Sequence, residues 1–473
     1  MRRIKLQQRS FVDLELERQG VRMEAPLQLI SQVLNRRPDL LVLIGQDLER
    51  GLKMPMRGRH GMTAEQVLRS VVLKRIKNWS FRELRERIAD GITLRAFTGF
   101  HGAVVPKHKA LHGAIARLTI QTLRKINEIV VDVAIALGIE DAKCVRMDTT
   151  VVETDIHFPT DSTLLWDCVR VLTRTATRIL DELPELPERC ANRTRSARRR
   201  MQEIQRMTPT QRQSHQVAKY RALIKTTQQV VDTARGVANA APDAASRALD
   251  LLGMLRVEAR CAEIKHYSAL ADRVLAQSRR RVLEQEQVAA QEKLYSIFEP
   301  HTDLIKRGKA NKPVEFGHKV FLAETRRGLI LDYWVIDGNP TDDVHVKPWL
   351  TRHLDRFTAA PHLCATDRGF YSQDNVDTVR RNGVDIESLP QRGGHKSAQR
   401  QAHEKSRAFK RAQRFRAGVE GRISVLMRGR GMRRCLLEGK ERFDLFLATV
   451  VLANNLLVIA AHLEKRAGRR RAA

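Results

Sequence analysis

The chain has 473 residues, and 85 Lys and Arg against 54 Asp and Glu give it a formal net charge of +31. A chain of this length is too long for one hydrophobic core, so two or three structural units are expected. The excess of positive charge indicates a polyanionic partner, because each phosphate neutralised by Lys or Arg releases a condensed counterion. The composition therefore excludes a single small domain and favours a nucleic-acid-binding protein, with or without catalysis.

The cysteines and the apolar segments exclude several other classes. The six cysteines lie far apart, without a Cys-x-x-Cys pair, so neither a zinc site nor a disulfide framework is expected. The basic N-terminus is not followed by the apolar core of a signal peptide. A membrane span needs about 20 apolar residues, and the apolar stretch from Leu445 to Ala461 contains Thr449, Asn454 and Asn455. This stretch predicts a buried helix. Without a signal peptide or a membrane span, the basic chain is expected to be cytoplasmic and nucleoid-associated, without a membrane partner.

Residues 1–138 are predicted to form an all-helical DNA-binding domain. Two capping boxes, Thr63 with Gln66 and Ser80 with Glu83, each precede an apolar series. Basic residues are interleaved with these series: Arg69, Lys74, Arg75, Lys77, Arg82, Arg85, Arg87 and Arg95. A compact helical unit with a basic exterior is typical of helix-turn-helix-like DNA binding, although ordinary solvated helices also carry such residues.

A sheet is predicted to begin after Asp141. Residues 144–152 alternate with period two, residues 314–324 and 328–336 indicate an antiparallel pair, and residues 362–366 and 384–389 indicate buried strands with helices between them. This order predicts a mixed α/β sheet of ribonuclease-H-like fold, with a large all-helical insertion after the first strand. The predicted boundaries are 139–173 and 300–437 for the catalytic domain, 174–299 for the helical insertion, and 438–473 for a C-terminal helix and basic tail.

Three acidic residues are candidates for a metal site. Asp148 lies within an apolar strand, where an unpaired carboxylate is costly and needs a metal or another cation. Asp367 follows the apolar run 363–365 and precedes a turn, at the sheet edge where open α/β sheets bind ligands. Glu420 lies in an amphipathic stretch. Carboxylates from two strands and a helix can hold two divalent ions for an in-line phosphoryl displacement, and oxygen-only ligation favours Mg²⁺ or Mn²⁺.

Other acids and other chemistries are less well supported. Glu153 and Asp155 compete with the first acid but lie outside the apolar run, whereas Asp161, Asp342 and Asp343 are interpreted as helix caps. The sequence contains neither a Gly-x-Ser-x-Gly elbow nor a Gly-x-x-x-x-Gly-Lys loop. Serine-hydrolase and P-loop chemistry therefore lack support.

Four strings carry a resemblance to a known family: MDTTVVETDIHFPTDSTLL, EFGHKVFLAET, CATDRGFYS and RAGVEGRIS, in this order. They resemble the bacterial insertion-sequence transposases of the acidic-triad (DDE) superfamily, and most closely the ISNCY-type group. The resemblance covers roughly residues 62–100 and 145–461. It implies that Asp148, Asp367 and Glu420 are the catalytic triad and hold two Mg²⁺ or Mn²⁺ ions per active site.

The helix that carries the glutamate matches the related transposases in part. These often have an Arg four residues before the Glu, a Lys seven residues after it, and a Tyr. Arg416 fits the Arg position and would orient the carboxylate or contact a DNA phosphate, but Gln413 and Met427 replace the Tyr and the Lys. The predicted DNA contacts are Arg416, Lys319, Arg422 and Arg428.

The resemblance also implies an activity and partners. Phosphodiester bonds would be hydrolysed at terminal inverted repeats, and the freed 3′ hydroxyl would attack target DNA. The substrates would be the double-stranded transposon ends and the target, and a homodimer would hold the paired ends. Two alternatives remain open, namely a nuclease or resolvase without strand transfer and a catalytically inactive DNA-binding derivative. The helical insertion is either a spacer or a contact for DNA or the partner subunit.

Overall fold

The computed structural model describes residues 15, 18–53, 61–309 and 312–472. The chain divides into two compact units: unit 1 contains Met1–Glu153 and His318–Ala473, and unit 2 contains Thr154–Gly317. Unit 2 is thus a continuous segment that interrupts unit 1 directly after its first strand.

Short helices precede the first strand of unit 1. They are α1 (Ala25–Asn35), α2 (Asp39–Glu49), α3 (Ala64–Lys77), α4 (Phe81–Asp90), α5 (Ile92–Thr98), α6 (His108–Ile115) and α7 (Ile120–Ala136). Both predicted capping boxes are present, because the Gln66 amide donates to Thr63 Oγ1 and the Glu83 amide donates to Ser80 Oγ, each at 3.2 Å. Helices α3 and α4 therefore begin where the sequence predicted.

The strands form the predicted mixed sheet. They are β1 (Cys144–Thr154), β2 (Asp303–Lys309), β3 (Lys312–Thr325), β4 (Ile330–Ile336), β5 (Leu363–Ala365), β6 (Ile386–Ser388) and β7 (Arg434–Cys435). In unit 1, β3, β1, β5 and β6 are neighbours in that order, while β4 pairs with β3 and β7 pairs with β1. The β1–β5 and β5–β6 pairs are parallel and the β3–β4 pair is antiparallel. The ribonuclease-H-like fold class is confirmed.

Unit 2 is a helical bundle with a short β pair, in which β2 is antiparallel to the first part of β3. Its helices are α8 (Asp161–Glu182), α9 (Thr194–Gln205), α10 (Pro209–Ala248) and α11 (Leu251–Ser278). Apolar side chains of α8 such as Leu165, Val169 and Leu172 share one buried core with α10 and α11. Unit 2 therefore begins twenty residues before the insertion boundary predicted at Arg174, because α8 buries its apolar stripe in the bundle.

The remaining helices of unit 1 follow the β3–β4 hairpin. They are α12 (Val346–Phe357), α13 (Gln373–Arg381), α14 (Ala398–Lys405), α15 (Arg407–Ser424) and α16 (Lys440–Ala472), together with short 3₁₀ segments at Asp342–His345 and Arg368–Phe370. Helix α15 runs into a π-helical turn at Val425–Gly429.

Helix α16 is the central helix of the unit 1 core. By length and composition Lys440–Arg469 could cross a membrane, but 89% of its apolar window is buried inside the protein, as is common for a core helix. It packs against α1, α3 and α7, and its apolar residues belong to the same core as theirs. The N-terminal helices therefore share their core with the C-terminal end of the chain.

The polar residues within α16 attach it to the sheet. Asn455 is fully buried; its Oδ1 accepts from the Ile330 amide at 2.9 Å, and its Nδ2 donates to the Ile330 carbonyl at 2.9 Å and to Asn127 Oδ1 at 2.8 Å. The side-chain amide thus satisfies both backbone groups of a residue at the start of β4.

Replacing Asn455 by Ala is expected to lower the free energy of unfolding by about 2 kcal/mol, because it leaves a buried amide and a buried carbonyl without partners. The measurement is urea unfolding followed by circular dichroism. The matched variant Asn382→Ala, at an exposed position in α13's C-cap, is expected to change the value by less than about 0.5 kcal/mol. Equal effects of both substitutions would contradict the anchoring role.

Candidate active site

The first two acids lie next to each other because of the register of two parallel strands. Strands β1 and β5 pair with Arg146 opposite Ala365. Asp148 and Asp367 each lie two residues further along the chain, so this register places them side by side at a strand separation of about 4.8 Å. Asp367 ends the extended segment, because its Oδ1 accepts the Gly369 amide at 2.8 Å and begins a 3₁₀ turn.

Gln413 holds α15 over the ends of two parallel strands. Its Nε2 donates to the carbonyl oxygens of Thr366 at 3.1 Å and Ser388 at 3.0 Å, and to Ser388 Oγ at 2.8 Å. Gln413 stands where related transposases have a Tyr, and sequence reasoning gave it no role. In the structure it is a positioning residue for the helix that carries Glu420.

Arg146 is a second link between the sheet and α15. It lies two residues before Asp148 and therefore on the same face of β1. Its Nη1 donates to the Phe415 carbonyl at 2.6 Å, and a Cβ on Gly418 would overlap its guanidinium. The glycine therefore allows the helix to approach the strand closely.

A buried carboxylate joins this link to the C-terminal part of α15. Glu324 on β3 is fully buried, and it pairs with Arg146 Nε at 2.8 Å and with Arg422 Nε at 2.9 Å. Arg422 Nη1 also donates to Asn454 Oδ1 at 3.3 Å. Because two guanidinium groups share one buried carboxylate, loss of that carboxylate would leave two buried cations.

Arg416 contacts all three predicted acids. Its Nη2 lies 3.0 Å from Asp148 Oδ2 and 3.6 Å from Asp367 Oδ2, and its Nη1 lies 3.5 Å from Glu420 Oε1. The exposed fraction of the side chain rises from 13% for Asp148 to 37% for Asp367 and 73% for Glu420, while that of Arg416 is 16%. The structure thus brings the three acids together around one cation, at the mouth of a partly buried site.

Burial changes the proton affinity of the first acid. Desolvation raises the pKa of Asp148 to about 6, the neighbouring carboxylates of Asp367 and Asp342 act in the same direction, and Arg416 opposes them. The folded protein therefore binds this proton more tightly than the unfolded chain. The stability that results is complete at low pH and is lost as the pH rises from about 4 to about 6.

With metal ions removed by a chelator, Asp148→Asn should remove this loss of stability with rising pH, because the amide has no proton to release. Between about pH 4.5 and pH 7, the free energy of unfolding of wild type should fall by about 2 kcal/mol relative to that of the variant. Urea unfolding at the two pH values measures the difference. Parallel pH profiles for the two proteins would contradict the raised pKa.

Asp342 is a fourth carboxylate beside the triad. Its Oδ1 accepts from Thr149 Oγ1 at 2.9 Å and pairs with Lys319 Nζ at 2.7 Å. A Cβ on Gly369 would lie 2.9 Å from Asp342 Oδ2 and 3.1 Å from Asp367 Oδ1, so this glycine keeps space between the two acids. The sequence interpretation of Asp342 as a helix cap missed these contacts, because a cap and a site carboxylate have the same local sequence pattern.

The predicted DNA contacts differ in their surroundings. Lys319 is paired with Asp342, donates to the Pro340 carbonyl at 2.8 Å and is largely buried. Arg422 is held by Glu324, Arg416 is held by the acids, and Arg428 is exposed. In this conformation Arg428 is the most accessible member of the set, and DNA contact by all four stays a prediction.

Several basic residues of the N-terminal helices have structural partners. Arg69 is buried and bonded to Glu65 and Asn35. Arg75 is buried against the Phe446 ring, and burial lowers its pKa to about 10. Arg95 donates to the backbone carbonyls of residues 89, 101 and 103. The exposed cations of α4 are Arg82, Arg85 and Arg87, so the basic exterior is smaller than the sequence indicated.

The donor set suits a hard divalent cation in its chemistry. Within the described residues, no three His, Cys, Asp or Glu side chains are grouped closely enough to hold a metal ion, and the Arg416 guanidinium contacts all three acids. All three acids nevertheless direct carboxylate oxygens at one positive charge, and such oxygens are the ligands that Mg²⁺ and Mn²⁺ prefer. The residues therefore fit a divalent ion, provided that Arg416 moves aside.

Two family models match the chain. Residues 297–456 match the model described as the transposase DDE domain, and residues 15–116 match the one described as transposase domain (DUF772). Asp367 and Glu420 lie inside the first range, and Asp148 precedes it. No curated protein and no solved structure matched the chain.

Proposed function

We propose that this chain is the transposase of an insertion sequence, on the premise that residues 297–456 match the transposase DDE domain and residues 15–116 match a second transposase domain. The proposed substrates are the terminal inverted repeats of the element and a double-stranded target. The observation that supports cleavage most directly is the convergence of Asp148, Asp367 and Glu420 on one cationic group.

In the proposed mechanism, Asp148, Asp367 and Glu420 would hold two Mg²⁺ or Mn²⁺ ions, which when bound would activate the attacking oxygen and stabilise the leaving oxygen. The protein fixes the positions of the acids. The β1–β5 register sets the first two, and Gln413 and Arg146 hold the helix that carries the third. Positioned charge of this kind lowers the barrier because it needs no reorganisation during the reaction.

The proposed reaction has two steps at the same site. In the first, a water molecule loses a proton and its oxygen bonds to phosphorus, the bond from phosphorus to the 3′ oxygen breaks, and the 3′ oxygen takes up a proton. In the second, the freed 3′ hydroxyl loses its proton and its oxygen bonds to a target phosphorus, while the bond from that phosphorus to the target's 3′ oxygen breaks and this oxygen takes up a proton. The proposed assembly is a homodimer on paired ends, because joining two ends requires two sites at a fixed separation.

The test incubates the protein with labelled element ends, a plasmid target and Mg²⁺, and the products are then sequenced. Joints between element ends and target are the expected result. Cleaved ends without any joint would favour a nuclease or resolvase on the same fold. Bound but uncleaved ends in both Mg²⁺ and Mn²⁺ would indicate an inactive DNA-binding derivative.

A further inference from the structure

Unit 2 contains a strongly basic segment, none of whose residues belongs to the proposed active site. Residues 189–225 include eleven Lys and Arg and a single acidic residue, Glu203. Helix α9 lies inside this segment. A concentration of one sign of charge raises the local potential and attracts a polyanion.

Helix α9 has an apolar face and an arginine-rich face. Ala197, Met201 and Ile204 are buried. Arg195, Arg199 and the C-cap residue Arg206 are exposed. Their spacing of four and seven residues places them along one line on the opposite side of the helix. We name these three arginines the α9 basic face. Its length is about 16 Å at a rise of about 1.5 Å per residue.

Other arginines nearby are tied to the protein. Arg200 Nη1 donates to Thr226 Oγ1 at 2.7 Å, and the Arg198 guanidinium lies 6.0 Å from the Trp166 ring centre. These contacts orient the helix on the bundle. They also leave the α9 basic face pointing away from the core.

Several arginines on the other helices of unit 2 are paired with carboxylates. On α8, α10 and α11, Arg174 pairs with Glu263 at 4.0 Å, Arg256 pairs with Glu182 at 3.4 Å, and Arg235 pairs with Asp272.

Among the residues that the structure describes, Arg195 and Arg206 have no carboxylate within 4.0 Å, and Arg199 has only Glu203 at 3.8 Å. Glu203 is also bound at 2.7 Å by Lys219. The α9 basic face therefore keeps an excess of positive charge.

We propose that the α9 basic face binds the phosphate backbone of double-stranded DNA. The inference rests on the proposed function for the identity of the polyanion. Each strand presents a phosphate about every 3.4 Å of helix axis, so a 16 Å line of guanidinium groups meets several phosphates. Arginine binds phosphate oxygens through two parallel hydrogen bonds. Phosphate contacts carry no sequence information, so the face contributes affinity and orientation without selecting the element's ends.

The experiment uses the full-length protein with Arg195→Gln, Arg199→Gln and Arg206→Gln combined. The dissociation constant is measured over a range of salt concentrations for a duplex of the element end and for a scrambled duplex of equal length. The logarithm of the association constant decreases with the logarithm of the salt concentration, and the magnitude of this slope should be smaller by about 3 in the variant. Each lost phosphate contact reduces that magnitude by about 0.9. Binding near 0.1 M salt should weaken about tenfold or more on both duplexes.

The matched control combines Arg174→Gln, Arg235→Gln and Arg256→Gln, which removes the same charge from paired positions of the same unit. Its slope is expected to stay that of wild type, and circular dichroism should show both variants folded. Equal loss in the two variants would mean that only net charge matters. An unchanged slope in the face variant would also overturn the proposal.

The design separates this proposal from the proposed function. If the affinity of wild type for DNA falls steeply with salt and the face variant reduces that slope, but wild type never cuts DNA, then DNA binding by the α9 basic face is supported and the transposase activity is contradicted. If wild type cuts and joins DNA while the face variant binds and cuts normally at every salt concentration, the transposase activity is supported and DNA binding by the α9 basic face is contradicted.

Discussion

Replacing Asp148 by Asn, Asp367 by Asn or Glu420 by Gln is expected to lower DNA cleavage by about 10³-fold or more, because charge stabilisation at a metal site contributes several kcal/mol to the transition state. The amides keep the shape of the side chains but lose the charge that binds divalent ions. Binding to the element ends should change little, since the DNA phosphates are contacted by Lys and Arg side chains, which these substitutions leave in place. Cleavage of labelled ends in Mg²⁺ and a gel shift in a chelator measure the two properties.

The matched variant is Glu441→Gln, at an exposed position at the start of α16, and it should cleave at the wild-type rate. If one of the three triad variants cleaved DNA at the wild-type rate, the assignment of that residue to the triad would be wrong. Asp342, the fourth carboxylate, would then be the first replacement to test, because it bonds to Thr149 beside Asp148.

Arg416→Gln is expected to have two opposite effects. Without metal, the free energy of unfolding should fall by about 3 kcal/mol, because the nearly buried Asp148 and the two other acids lose their shared counter-cation. With Mn²⁺, the affinity should rise about tenfold, since a positive charge that competes with the metal ion for the three carboxylates is gone. Urea unfolding in a chelator and a calorimetric Mn²⁺ titration measure the two effects.

Arg428→Gln is the control for Arg416, because it removes the same charge from an exposed position of the following π-helical turn. It should alter neither quantity. A weaker Mn²⁺ affinity in Arg416→Gln would mean that the arginine orients the carboxylates for the metal. The idea that it occupies the metal's place would then be abandoned.

The sheet and the grouping of the acids could be predicted because both leave strong local patterns. Asp148 interrupts an apolar strand and Asp367 follows one, and a parallel register then brings them together. The sequence did not reveal the cation between them. Arg416 was assigned to orientation or to DNA, and its contact with all three acids depends on how closely α15 approaches β1. The catalytic and DNA-binding roles of these residues stay predictions.

Burial of charged residues was the main feature that the sequence concealed. Arg69 and Arg75 look like parts of a basic exterior, yet they are buried among polar and aromatic partners from distant segments. Periodicity cannot show this, because it reports which residues share a helix face and says nothing about what covers that face. The same limit explains why the predicted insertion began inside α8, whose apolar stripe packs on helices that begin at Pro209 and Leu251.

The position of α16 has a consequence for synthesis. Helices α1, α3 and α7 pack against a helix that begins at Lys440, so at about 5–20 residues per second their apolar faces stay uncovered for about 15 to 80 s during synthesis. Unit 2 is continuous in sequence, and its own core can form during that interval. A chain terminated before α16 never completes the first core. Premature termination is therefore expected to yield an aggregating or degraded product, and such fragments would not compete with the complete protein for the same DNA.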